Sequence, residues 1–231
     1  MVKAIRKPLE EITEAIKPYQ RVLVLGCGGC VSVCLCGGQK EADQLAALLA
    51  SESCDTPKQT TSWTIERQCN REFMGSLPDK IKEVDCILSM ACGAGVQLVA
   101  ECFPDKPVFP AVNTVCIGID RDIGWYEERC RACGECVLSY TGGICPVSRC
   151  AKSLFNGPCG GTGRDENCEV DKGIPCAWVE IWKRLSTQNR TDNILSLRPA
   201  MAWQNQKQRT LLQPEYEKRY LKSEIRSYIH A

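Results

Sequence analysis

The sequence predicts an α/β fold: a small Rossmann-like parallel sheet, followed by a cysteine-rich metal-stapled segment and a helical C-terminal tail. Three observations lead there. In the first half, short apolar runs alternate with stretches of helical period. Eighteen cysteines are spread through 231 residues. Eight of these lie in the 47 residues from Cys130 to Cys176, with few apolar residues between them.

Taken in order, Pro8 opens a short helix to about Lys17, with Leu9, Ile12 and Ile16 as its apolar stripe. Arg21–Leu25 reads as a buried strand and Gln39–Ala50 as a helix that buries Leu45, Leu48 and Leu49. Ser62–Ile65 and Asp85–Met90 are the second and third strands, and Ala94–Phe103 is a helix. Val108–Val112 is the fourth strand, placed at an edge by Pro110. The expected divisions are residues 1–124 for the sheet domain, 125–182 for the cysteine-rich domain and 183–231 for a basic helical tail that closes the core or docks a partner. Residues 1–181 carry 19 Lys+Arg against 24 Asp+Glu, and residues 182–231 carry 10 against 4. Pro214 opens the last segment, where Leu221, Ile225 and Ile229 recur every four residues.

Composition excludes much. The single histidine, His230, is next to last, which removes histidine zinc sites, Rieske centres and Ser/His/Asp catalysis. No catalytic residue is expected. A formal net charge of +1 gives no reason to expect nucleic-acid binding. The charged N-terminus has no signal-peptide core, and no run of about 18 apolar residues offers a membrane span. So many cysteines without a secretory signal fit a reducing cytosol, with thiolates committed to metal rather than to disulfides. Sulfur ligation narrows the metals to zinc and iron–sulfur clusters.

Ligands in parallel α/β sheets collect at the carboxyl ends of strands. Cys27, Cys30 and Cys34 follow the first strand, Cys69 the second, Cys92 the third and Cys116 the fourth. Cys27, Cys30 and Cys34, with Cys69 or Cys92, form one candidate cluster site. The competing nucleotide loop fails on its third glycine: Gly26 and Gly28 are followed by Val31. Cys86 and Cys102 read as small core residues, Cys54 lies in a polar loop, and Cys36 is an accessory at best. Further on, Cys130, Cys133 and Cys136 form C-x2-C-x2-C, but eight residues then intervene before Cys145-Pro146, so the chain leaves the ferredoxin pattern. The fourth ligand is Cys145 or Cys150. Cys159, Cys168 and Cys176, with the other of that pair, make a second set of four that suits a [4Fe–4S] cluster or a zinc ion. Metal must supply part of this segment's folding energy.

The stretch ERCRACGECVLSYTGGICPVSRCAKSLFNGPCGG, with CEV and PCAW following, resembles the methylenetetrahydrofolate reductase C-terminal domain family. GCGGCVSVC, ERQC and MACGAGVQL resemble the rest of the MetV-type subunits of acetogens and related anaerobes, so the likeness reaches Trp182. It implies an iron–sulfur or zinc subunit that passes electrons to the flavin of a MetF-type catalytic partner in one-carbon metabolism, with a donor module behind it. The family's metal ligands map onto Cys27, Cys30, Cys34, Cys69, Cys92, Cys130, Cys133, Cys136, Cys145, Cys150, Cys159, Cys168 and Cys176. Two or three [4Fe–4S] sites are expected, with zinc as the alternative at one four-cysteine site. Cys36 and Cys116 stand outside the pattern. The competing function is a zinc-stapled assembly subunit that stabilises its partner and carries no electrons.

Overall fold

The structure, a computed structural model, describes residues 1–51, 57–203, 210–216 and 219. The chain divides into two units, Met1–Arg131 and Ala132–Ala231. In the first unit the chain order is β1 (Val2–Arg6), α1 (Leu9–Ala15), β2 (Arg21–Cys27), α2 (Cys30–Val33), α3 (Gln39–Ala50) and β3 (Gln59–Ile65). A 3-10 turn (Arg71–Ser76) leads to α4 (Pro78–Lys82), β4 (Cys86–Ser89), α5 (Gly93–Cys102), β5 (Val108–Pro110), β6 (Val112–Asp122) and β7 (Trp125–Cys130).

β2 to β5 form a parallel sheet in the order β3-β2-β4-β5. Val22 to Cys27 are all buried, as a strand covered on both faces requires. On one face Val22, Val24, Cys86 and Leu88 pack against Ile12 of α1 and Ala42, Leu45 and Leu49 of α3. On the other, Leu23, Leu25 and Ile87 meet Met74, Ile81 of α4 and Val99 of α5. The helices that follow β2 and β4 therefore lie on opposite faces, and the two strands open a crevice between their carboxyl ends. Pro110 closes the edge strand β5, where its missing N–H costs no ladder bond.

β1, β6 and β7 form a separate antiparallel sheet in the order β1-β6-β7. None of its strands follows from the sequence, and Cys116 lies inside β6 rather than in a loop after the fourth strand. Bulges at Lys3/Ala4 and Ile117/Gly118 break the two-residue alternation that betrays a strand. Lys3 sits where an apolar residue would be expected: it is 3% exposed, ion-paired to Asp120 and stacked 4.0 Å from the Tyr126 ring centre. The segment from Trp125, expected to begin the cysteine-rich part, forms β7 of this sheet.

The second unit is built on α6 (Pro146–Arg149) and α7 (Ala177–Thr187), with 3-10 turns at Thr191–Leu195 and Pro214–Tyr216. α7 buries Ala177, Trp178, Ile181 and Leu185, one face of a helix. Two small apolar groups carry the unit: Ile144 with Trp178, Ile181 and Leu185, and Val137 with Val147 and Met201. Over residues 188–203 the tail departs from the helical expectation. α7 runs on to Thr187, but between it and Trp203 the only further helical element is the 3-10 turn, and Met201 instead packs on Val137 and Val147. Leu221, Ile225 and Ile229 lie outside the described residues, as does Cys54. Among the described residues no helix is long and apolar enough to cross a membrane.

Candidate metal centres

In the first unit, cysteines gather at the carboxyl ends of the parallel strands. Cys27 is the last residue of β2, Cys30 opens α2, Cys34 caps its end, and Cys92 is the N-cap of α5. Cys69 is exposed in the turn after β3. Cys27, Cys34, Cys36, Ala91 and Val112 share one buried group, with Cys92 packed against it. Burial pushes the Cys27 thiol up, opposed by the Gln68 and Gly29 amides that donate to its sulfur, while the sulfurs of Cys69 and Cys92 raise it further.

A buried polar knot braces these loops. Gln68 is fully buried; its Nε2 donates to Leu25 O at 2.8 Å and Gly26 O at 3.0 Å, and its Oε1 accepts from Ser89 Oγ at 2.6 Å. One side chain therefore ties the ends of β2 and β4 to the turn that carries Cys69. Gly26 and Gly37 are required by close approach: a Cβ would meet Thr64 Oγ1 at 2.2 Å in the first case and Met90 O at 2.1 Å in the second.

Cys36 packs against Cys34. Leu35 has a φ of 55°, in the left-handed region, and turns the chain back after α2. The Cys36 and Gly37 amides both donate to Val31 O, and the Cys34 and Cys36 sulfurs come to 3.4 Å. Burial, then the Cys34 contact, pushes the Cys36 thiol far above its ordinary range. Cys116, opposite Lys3 in the sheet, is raised by burial and Glu128, with a smaller effect of Cys34. Cys86 is a fully buried core residue with its thiol pushed up to about 12 by burial, and Cys102 packs at the edge of the core, both as expected. Cys130 closes β7.

In the second unit, Cys145 and Cys150 pack into different apolar groups. Cys145 is the N-cap of α6 and Cys150 its C-cap, so the helix separates them. Cys145 packs with Cys133 on Val137 and Val147; Cys150 packs with Cys176 on Ile144 and Trp178. Cys136 is exposed in the turn between Cys133 and Val137. Cys150, Cys159, Cys168 and Cys176 all line one cavity of about 20 Å³, room for roughly one atom-sized guest. Cys176 is the N-cap of α7; burial opposes its ionisation, but the Thr162 hydroxyl and the Val179 and Trp178 amides outweigh this and lower its pKa. The bridge Asn167↔Pro175 and the bonds Cys168 N to Ile174 O and Cys176 N to Glu166 O hold the 166–176 loop closed.

None of the described cysteines forms a disulfide. Among the described residues no three His, Cys, Asp or Glu side chains already stand close enough together to hold a metal ion. The thiols line common sites without a preformed ligand sphere.

Comparison with known proteins bears on this second unit. Residues 109–204 match the family model for the methylene-tetrahydrofolate reductase C terminal. The matched stretch begins at β5 and takes in β6, β7 and every cysteine from Cys116 to Cys176; Cys27, Cys30, Cys34, Cys69 and Cys92 precede it. No curated protein and no solved structure matches the chain.

Sequence reasoning missed Gln68, Thr162 and Glu169 at these sites. Gln68 stood next to Cys69 in ERQC, and a polar residue beside a candidate ligand was the available signal.

Proposed function

We propose that this chain is a metal-bearing electron-transfer subunit of a methylenetetrahydrofolate reductase complex, working beside a flavin-containing MetF-type subunit in a reducing cytosol. The observation that supports this most is the gathering of Cys27, Cys69 and Cys92 at the carboxyl ends of three strands of a Rossmann-like sheet, with backbone amides aimed at the Cys27 sulfur. The likeness of residues 109–204 to the reductase C terminal supplies the reaction class.

The donor set fits iron–sulfur chemistry: it is sulfur throughout, partly buried, and carries the amide donors that tune such clusters. Cys27, Cys69 and Cys92, with Cys30 or Cys34, would hold one [4Fe–4S] cluster. Cys133, Cys136 and Cys145 would provide three thiols for another. Cys150, Cys159, Cys168 and Cys176, which line one small cavity, would suit a single zinc ion. When bound, the clusters would supply one-electron steps at potentials set by hydrogen bonding and burial. The chain's own part is to exclude water around Cys27 and Cys34, and to fix the loops through Gln68.

Iron and zinc per chain, with EPR, on the anaerobically isolated complex tests the reading. Iron near four or eight per chain, a broad visible absorption bleached by dithionite and a cluster EPR signal are expected. Zinc without iron would overturn the electron-transfer reading in favour of an assembly subunit.

A further inference from the structure

The cavity between Cys150, Cys159, Cys168 and Cys176 has a fifth donor on its wall. Glu169 follows Cys168 directly, and its Oε1 accepts from Cys159 Sγ at 3.1 Å. The same oxygen is ion-paired to Lys152, which also lines the cavity. The carboxylate lies so tightly over Gly161 that a Cβ there would meet Glu169 Oε2 at 1.7 Å. Gly161 N donates to Cys159 Sγ at 3.4 Å, so one short turn positions sulfur and carboxylate together. The four thiols are also unequal: Cys150, Cys168 and Cys176 are half-buried, whereas Cys159 is exposed.

We propose that Glu169 is an exchangeable ligand of this site, its carboxylate able to take the corner of Cys159 on a bound zinc ion. The proposal rests on the zinc reading of this cavity. In the exchange one Zn–S bond breaks and one Zn–O bond forms; both donors are monoanions, so the charge of the ligand sphere is unchanged. Thiolate and carboxylate bond zinc at about 2.3 and 2.0–2.2 Å, so the swap needs little movement of the ion. Lys152, released from Glu169, stands beside the departing thiolate, and no proton or electron is required. The exposed thiol is the one most open to alkylation and oxidation. A carboxylate held against it keeps the zinc in place when that sulfur is lost.

The test uses the full chain, zinc-loaded and reduced. Cys150→Ala/Cys176→Ala, which leaves only three of the five donors, should lose the zinc of this site and sets the baseline. Cys159→Ala should keep that zinc, and Cys159→Ala/Glu169→Gln should release it to a chelator at least roughly tenfold faster than Cys159→Ala. With cobalt(II) in place of zinc, Cys159→Ala should show a weakened thiolate-to-metal band that persists, and the double variant should lose it. In the unmutated chain, iodoacetamide mapped to Cys159 should leave zinc bound, whereas in Glu169→Gln the same labelling should expel it. Equal release from Cys159→Ala and the double variant, or zinc loss on labelling with Glu169 intact, would overturn the exchange while leaving the zinc site standing. Unchanged zinc in Cys150→Ala/Cys176→Ala would instead remove the zinc reading of the cavity, and the exchange with it.

Discussion

Gln68→Leu tests whether the cysteine loops of the first unit are held by one buried side chain. Leucine nearly keeps the volume but removes three hydrogen bonds, two donated to Leu25 O and Gly26 O and one accepted from Ser89 Oγ. At about 0.5–1.5 kcal/mol net for each bond, the loss is about 2–4 kcal/mol. Leu25 O retains the Met90 amide, and Ser89 Oγ still accepts from the Ala91 amide, which keeps the cost from rising further. Gln68→Glu should be worse although it is closer in shape. Its carboxylate would face two carbonyl oxygens in a fully buried site, and would have to take up a proton or leave. Urea unfolding of the reduced full chain, followed by circular dichroism, ranks the three proteins; iron content reports the site. A Gln68→Leu protein within about 0.5 kcal/mol of the original would refute the bracing role, since that is the range of ordinary surface changes.

Three further outcomes are expected. Gly37→Ala should drive the Cys34–Cys36 turn off Met90 O, lowering first-unit iron, whereas Gly75→Ala, whose Cβ would meet nothing within 4 Å, should leave metal analysis unchanged. Cys86→Ser should cost about 1–3 kcal/mol by burying an unpartnered hydroxyl, and more than Cys86→Ala, with iron retained in both; metal loss in either would end its assignment to the core. The Asp85 carboxyl is held at about 2, against an ordinary 3.8, by hydrogen bonds from the Arg21 side chain and backbone, with the Gln20 amide adding. Its folded pKa is the lower one, so its stabilising effect is present above about pH 4 and is lost as pH falls towards 2; the stability gap between the original and Asp85→Asn should close over that window, as thermal melts can show.

How much of this was legible varied with the physics of each segment. The parallel sheet was, because β2 and β4 carry the apolar runs Val22–Leu25 and Cys86–Leu88 and α3 has a clear helical stripe. The antiparallel sheet was not: Lys3 is buried through Asp120 and Tyr126, a partnership over 117 residues that no local pattern announces. The candidate ligands could be named as residue types, but their grouping could not. Cys145 and Cys150 are separated by the four residues of α6, and only packing shows that they face different neighbours. Cys36 follows Cys34 by only two residues, a spacing that suggests no shared site, and a left-handed Leu35 brings their sulfurs to 3.4 Å.

The same local geometry explains why sulfur, and not phosphate, suits the end of β2. A phosphate loop works by leaving several backbone N–H groups free to point at one anion. Here those groups are committed inward: Cys27 N to Gly37 O, Gly28 N to Ile65 O, Cys36 N and Gly37 N to Val31 O, and Gly38 N to Glu41 Oε2. The helix that directly follows the loop, α2, is a single turn, too short to develop the dipole of a dinucleotide-binding helix. The amides of Gly29 and Gln68 do have a target, and it is the Cys27 sulfur. To seat a pyrophosphate, this loop would have to break at least the Cys27 and Gly28 bonds and then desolvate an anion beside buried thiols. Sulfur at Cys27 asks for no such rearrangement, since the Gly29 and Gln68 amides already oppose the effect of its burial.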